Sequence, residues 1–178
     1  MKHVGQIRRQ LGVPTLFNYL GPLCNPAGAA YQMIGTGNEP LQTKLAATLV
    51  QLPVEAAIVV RGLDGMDEVS LAAETSVLHV QYGMTTQFLW SPSTFGLPKI
   101  KNEDLMVEGP EQSGDVIRRV LGGEKGPARD IVLANASAGL WVSGKTHSLV
   151  DGVAIAAKAI DSGVAAKLLN DLAKMSSS

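Results

Sequence analysis

The sequence predicts an α/β fold, a strand-helix-strand sheet domain with flanking helices and a short helical segment ahead of it. Three observations predict it. Tyr31–Gly35 reads as a strand halted by Gly-Thr-Gly, and Ala56-Ala57-Ile58-Val59-Val60 is an unbroken apolar run of the kind that forms strands buried on both faces. Between them Asn38 can cap a helix with Pro40 in its first turn and Leu41, Leu45, Leu49 and Leu52 along its length, ended by Pro53. Strand, helix and strand within about 30 residues make a βαβ unit, whose ligands gather at the carboxyl ends of its strands.

Ahead of this unit, Val4, Ile7 and Leu11 fall at helical spacing across Lys2–Leu11, and Gly12 can end that helix. The apolar stretch Thr15–Leu20 is closed by Gly21-Pro22 and again by Asn25-Pro26, two breaks that make a bent connection. Residues 1–26 therefore read as a helical unit distinct from an α/β domain over 27–175, with 176–178 a tail. Beyond the βαβ unit, Thr75–Val80 and Met84–Trp90 alternate as two strands around a Tyr82-Gly83 hairpin. Residues 91–110 read mostly as loop. Helices are predicted over Gln112–Leu121, over Pro127–Trp141, and from a capping box at Ser148 and Asp151 to Ile160. Gly163 separates a last amphipathic helix with Leu168, Leu169 and Leu172.

Composition narrows the function classes. With 46% hydrophobic and 17% charged residues and a net charge of −1, the chain offers no electrostatic attraction for nucleic acid or anionic lipid. No apolar run is long enough to cross a bilayer, and Met1-Lys2-His3 leads into a polar segment unlike a signal peptide. The single cysteine, Cys24, fits a reducing compartment, so the expected location is the cytoplasm. His3, His79 and His147 stand far apart with no Cys or His at zinc-ligand spacing, and no hydrolase motif is present.

Two segments carry candidate chemistry. In Arg61–Ser70, two glycines let the chain turn just past the buried strand, and Asp67-Glu68 then present adjacent carboxylates. Such hard oxygen ligands suit magnesium, which keeps several waters and is completed by substrate phosphates. From spacing alone the stretch is equally a solvated Asp-Gly turn, and Asp64 is the acidic residue of the three expected to be structural. Arg8 is the second candidate: a guanidinium grips a carboxylate through two parallel hydrogen bonds, although an arginine on an amphipathic helix can as well face solvent. Gly35-Thr36-Gly37 is too short for a phosphate cradle and reads as a strand-ending turn. The small-residue run around Asn135 reads as a helix face packed on the sheet, with Asn135 satisfying a backbone group.

Read together, four blocks resemble the anthranilate phosphoribosyltransferases. Met1–Gly12 is similar to the family segment that follows a His-Pro pair, and Thr15–Ala27 to its Thr-Ile-Phe-Asn-Leu-Leu-Gly-Pro-Leu-Thr-Asn-Pro-Ala. Gly62–Ser70 resembles its Gly-x-Asp-Gly-x-Asp-Glu-x-Ser loop, and Leu133–Ala138 its Leu-Asn-Ala-Ala-Ala segment. Cys24 stands where the family has Thr or Ser, and residues 91–125 are only loosely similar. The resemblance implies a nucleoside phosphorylase/phosphoribosyltransferase-like fold, with residues 1–26 belonging to a helical domain that is mostly missing. It implies transfer of phosphoribosyl from phosphoribosyl pyrophosphate to the amine of anthranilate, in tryptophan biosynthesis. It also implies Mg2+ held by Asp67 and Glu68, anthranilate contacted by Arg8, and a homodimer in the family.

The family's Gly-Thr-Gly-Gly-Asp phosphate loop, its Asn-x-Ser-Thr segment and its Lys-His-Gly stretch lie upstream of the matched blocks and do not occur here. The chain is therefore expected to be a C-terminal portion, inactive in isolation. A nucleic-acid-binding relative on the same fold, a pyrimidine nucleoside phosphorylase and a non-catalytic fragment are the competing readings.

Overall fold

The computed structural model describes residues 23, 24 and 27–176. The chain divides into two compact units, Met1–Ala30 and Tyr31–Ser178. In the first, Cys24 is exposed.

The second unit is a four-stranded sheet in the order β1-β2-β3-β4, formed by β1 (Tyr31–Gly35), β2 (Ala56–Gly62), β3 (Thr75–Gln81) and β4 (Met84–Trp90). β1 and β2 run parallel, Tyr31 opposite Ala56 and Gly35 opposite Val60, as a strand-helix-strand unit requires. β3 and β4 then add antiparallel, so the sheet is mixed. The connecting helix α1 (Glu39–Leu49) begins at the expected cap, where Asn38 Oδ1 accepts the Leu41 N–H at 2.9 Å. It ends before Leu52, whose N–H closes a turn on the Leu49 carbonyl.

β2 is the axis of the core. Ala56 to Val60 are all essentially buried, and period-two alternation sends Ala56, Ile58 and Val60 to one face and Ala57 and Val59 to the other. The first face packs with Val77, Trp90 and Phe95 and with Ile131, Ala134 and Ala138 of α3 (Pro127–Val142). Over the second lies α1 with buried Leu45, Ala46 and Leu49. Gln42, buried on α1, ties helix to sheet: its Nε2 donates to the carbonyls of Val59 and Ser76, both at 2.9 Å. Its Oε1 accepts from Ser76 Oγ and Arg61 Nε, so the buried amide leaves no polar atom unpaired.

The hairpin between β3 and β4 has Tyr82 at φ 52° and Gly83 at φ 73°, two left-handed residues as a type I′ turn demands. Segment 91–110 is more structured than expected, with 3₁₀ turns at Pro92–Phe95 and Asn102–Leu105. Helices α2 (Pro110–Leu121), α3, α4 (Leu149–Asp161) and α5 (Val164–Ser176) follow. α4 is capped by Ser148, whose Oγ accepts the Asp151 N–H at 3.3 Å. It lies close on α3 because Gly152 faces Ser137, leaving no room for a Cβ. No helix among the described residues is long and apolar enough to cross a membrane.

Aromatic residues are scarce in the sequence, but both tryptophans fall in one cluster. Trp141 of α3 meets Trp90 edge-on at 5.4 Å, Phe88 at 5.8 Å and His79 at 4.9 Å between ring centroids. Burial there lowers the His79 pKa below the usual imidazole range. The unfolded chain then binds a proton more readily than the folded one, so stability present above about pH 6.5 is lost as pH falls through the folded value. His79→Phe should keep the stack and remove that acid sensitivity. Melting temperatures of the two proteins between about pH 5 and about pH 8 check this, and parallel curves would contradict it. At the hairpin, Tyr82→Asn replaces an exposed side chain in the left-handed region by one that tolerates it. A gain of about 1 kcal/mol in urea denaturation is expected.

Candidate metal-binding loop

The segment between β2 and β3 is held by its own polar groups before anything else touches it. Gly62 N–H donates to the Met66 carbonyl at 2.9 Å, and Gly65 N–H to the Gly62 carbonyl at 3.0 Å. Asp64 works inside the loop: Oδ1 accepts the Met66 N–H and Oδ2 the Ser70 hydroxyl at 2.8 Å. Ser70 Oγ in turn accepts the N–H groups of Ala72 and Ala73, and the Ser70 N–H donates to Thr75 Oγ1. The structural role expected of Asp64 is the one these bonds describe.

Asp67 and Glu68 are left at the crest of the loop. Asp67 is exposed and Glu68 half-buried. The Glu68 pKa is raised above the ordinary carboxyl range, first by burial and then by the charge of Asp67. Immediately after the pair, the loop is gripped from α3. Asn135 Oδ1 accepts the Val69 N–H at 2.9 Å and Nδ2 donates to the Val69 carbonyl at 3.1 Å, while Nδ2 also reaches the Ile131 carbonyl at 3.0 Å. Asn135 thus satisfies backbone groups, as expected.

Below the loop lies Gly35-Thr36-Gly37. A Cβ on residue 35 would overlap the Asp67 carbonyl, and one on residue 37 would stand 2.6 Å from the Gly65 carbonyl oxygen. The two glycines let the acidic loop lie backbone against backbone on the turn that ends β1. Thr36 N–H continues the ladder to Val60 O at 3.1 Å, and Thr36 Oγ1 accepts the Asn38 N–H. The turn is a strand end, and it doubles as the floor of the loop.

The structure therefore brings Asp67 and Glu68 together at the carboxyl end of β2, while Arg8 lies outside the described residues. Among the described residues no group of three or more His, Cys, Asp or Glu is gathered to hold a metal ion. Two neighbouring carboxylates are a partial donor set of hard oxygens, open to completion by other oxygen ligands. Sequence reasoning missed the floor under the loop and the identity of Asn135's partner, because both depend on contacts between distant segments.

Residues 1–166 match the glycosyl transferase family, a/b domain. The chain belongs to this family. It is 46% identical over 174 residues to the anthranilate phosphoribosyltransferase of Rhodopirellula baltica, covering 98% of this chain and 51% of that one. To that of Methylobacillus flagellatus it is 44% identical over 176 residues, covering 99% and 52%. Among solved structures of glycosyl transferase family relatives, the anthranilate phosphoribosyltransferase of Thermus thermophilus superposes with a TM-score of 0.85 at 40% identity, over 96% of this chain and 50% of that one. The Saccharomyces cerevisiae enzyme in complex with PRPP and Mg does so at 0.86 and 31%, over 96% and 49%. The chain spans about half the length of the relatives it matches.

The glycine floor makes a sharp prediction. Gly35→Ala must push the loop away and should cost about 3 kcal/mol. Gly139→Ala, on α3 where nothing lies within 4 Å of the new methyl group, should be neutral or stabilising by up to about 1 kcal/mol. Urea denaturation of both variants checks this; equal effects would mean that the loop gives way freely.

Proposed function

We propose that this chain is the α/β portion of an anthranilate phosphoribosyltransferase. With the remainder of such an enzyme it would transfer the phosphoribosyl group of phosphoribosyl pyrophosphate to the amine of anthranilate, releasing pyrophosphate. The observation that carries the reading is the Asp67-Glu68 pair at the carboxyl end of β2, in a chain so similar to the Rhodopirellula baltica enzyme. The yeast relatives were solved with PRPP and Mg and with 4-fluoroanthranilate, and we carry those ligand classes to this chain.

The donor set fits Mg2+. Both side chains offer hard oxygens, and a cation beside them offsets the burial and like-charge repulsion that hold Glu68 back from ionising. When bound, the ion supplies charge stabilisation for the departing diphosphate. The part of the protein is geometric. Asp67 and Glu68 offer their oxygens from a loop whose floor is backbone contact and whose flank is gripped by the Asn135 carboxamide, so the loop is in place before substrate arrives. In this reading Arg8 grips the anthranilate carboxylate and so aims its amine, and positioning takes the place of a strong base.

Joining residues 1–178 to the complementary half of the Rhodopirellula baltica enzyme tests the reading. The fusion should convert phosphoribosyl pyrophosphate and anthranilate with Mg2+ present. Asp67→Asn combined with Glu68→Gln should lower kcat at least about 100-fold while leaving the melting temperature intact. A folded but inert fusion, or a double variant with undiminished turnover, would remove the proposal.

A further inference from the structure

We infer that Asn135 is a positioning residue for the acidic pair, acting through Val69; the inference rests on the metal-binding reading of Asp67 and Glu68. Asn135 belongs to α3, far from the loop in sequence, and is the side chain that joins the two by hydrogen bonds. Its carboxamide takes the N–H and the C=O of the same residue, Val69, at 2.9 and 3.1 Å. Two antiparallel bonds to one peptide residue fix both its distance from the helix and its rotation. Val69 is the next residue after Glu68, so that rotation sets the direction in which the Glu68 side chain leaves the backbone.

The second Nδ2 hydrogen is anchored on the Ile131 carbonyl one turn back in α3, at 3.0 Å. The amide therefore cannot swing away without losing a bond inside its own helix. Both Nδ2 hydrogens and one lone pair of Oδ1 are used on backbone, and Val69 itself is fully buried. With three of its four hydrogen-bonding directions committed to backbone, its effect on the pair is transmitted through the peptide it holds. Groups that orient metal ligands without touching the metal commonly alter metal affinity about 10- to 100-fold when removed.

The experiment compares Mn2+ binding, read from the electron paramagnetic resonance signal of the free ion, with amide exchange at Val69. It uses the 178-residue chain, three single variants and the double variant Asp67→Asn, Glu68→Gln. Asn135→Ala removes the clamp. Asn135→Asp keeps its size and one acceptor but turns an oxygen towards the Val69 and Ile131 carbonyls. Leu133→Ala opens the separate cluster with Val120, Ala156 and Ile160 and serves as a control for stability lost elsewhere on α3. Both Asn135 variants should bind Mn2+ at least about tenfold more weakly and lose protection at the Val69 N–H. Leu133→Ala should keep both properties. Unchanged Mn2+ affinity in the Asn135 variants, alongside loss in Asp67→Asn with Glu68→Gln, would overturn the positioning role and leave the metal reading standing. Equal weakening by Leu133→Ala would reduce Asn135 to a general structural role and overturn the inference. All titrations include phosphoribosyl pyrophosphate to complete the coordination, and absence of Mn2+ binding by the unaltered chain under those conditions would overturn the metal reading and this inference with it.

Discussion

The backbone of Asp67 lies in the space that a side chain on residue 35 would occupy, and the geometry of the acidic loop follows from that contact. Close approach of two main chains leaves neither room to shift without losing van der Waals contact on a surface that has no flexible side chain to absorb the change. The floor is itself rigid, since Gly35 ends a strand paired to β2 and Thr36 extends the ladder by one more bond to Val60. Loop and floor are thus both fixed to β2, one by covalent continuity and the other by strand pairing. The carboxylates inherit the order of the most buried strand in the fold.

Electrostatics runs against this order. Two adjacent acidic residues repel, and Glu68 is also half-buried, so its charged form is disfavoured in the fold. The cation nearest in sequence does not relieve it. Arg61 donates instead to Gln42 at 3.3 Å and Glu39 at 3.2 Å, both on α1. A site whose charge is left uncompensated among the described residues favours a cationic ligand, because binding recovers the penalty that folding imposed. Such a pair has a physical use in the proposed role and would be a plain cost without it.

Much of the fold was legible in the sequence, and the parts that were not share a cause. The Ala56–Val60 run announced a doubly buried strand, Asn38 announced a helix start, and Tyr82-Gly83 announced a hairpin, because each signal is local. The 3₁₀ turns in 91–110 lack periodicity and carry no such signal. Gln42 looks like any polar residue on a helix, and its role as the buried tie between α1 and two strands exists only once β2 and β3 have paired. Gly35-Thr36-Gly37 showed a turn but not the load above it, since the overlapping chain lies beyond a whole helix and a further strand in sequence.

Asp64, Asp67 and Glu68 illustrate how hydrogen bonds separate residues of one kind within a single loop. All three are acidic and sit within one short stretch of loop, and the sequence marks Asp64 as the one expected to be structural without showing what it would hold. Hydrogen bonds rank them. Both oxygens of Asp64 accept from within the loop, from Met66 and Ser70, and withdrawing either would undo the turn that carries the other two residues outward. Asp67 is exposed, and Glu68 is half-buried next to Val69, whose N–H the Asn135 side chain accepts. One carboxylate therefore builds the loop and two are presented by it. In the proposed enzyme the same division holds in chemical terms: turning Asp64 towards a cation would break the bonds that shape the turn, whereas a presented pair can meet the ion without first breaking the fold.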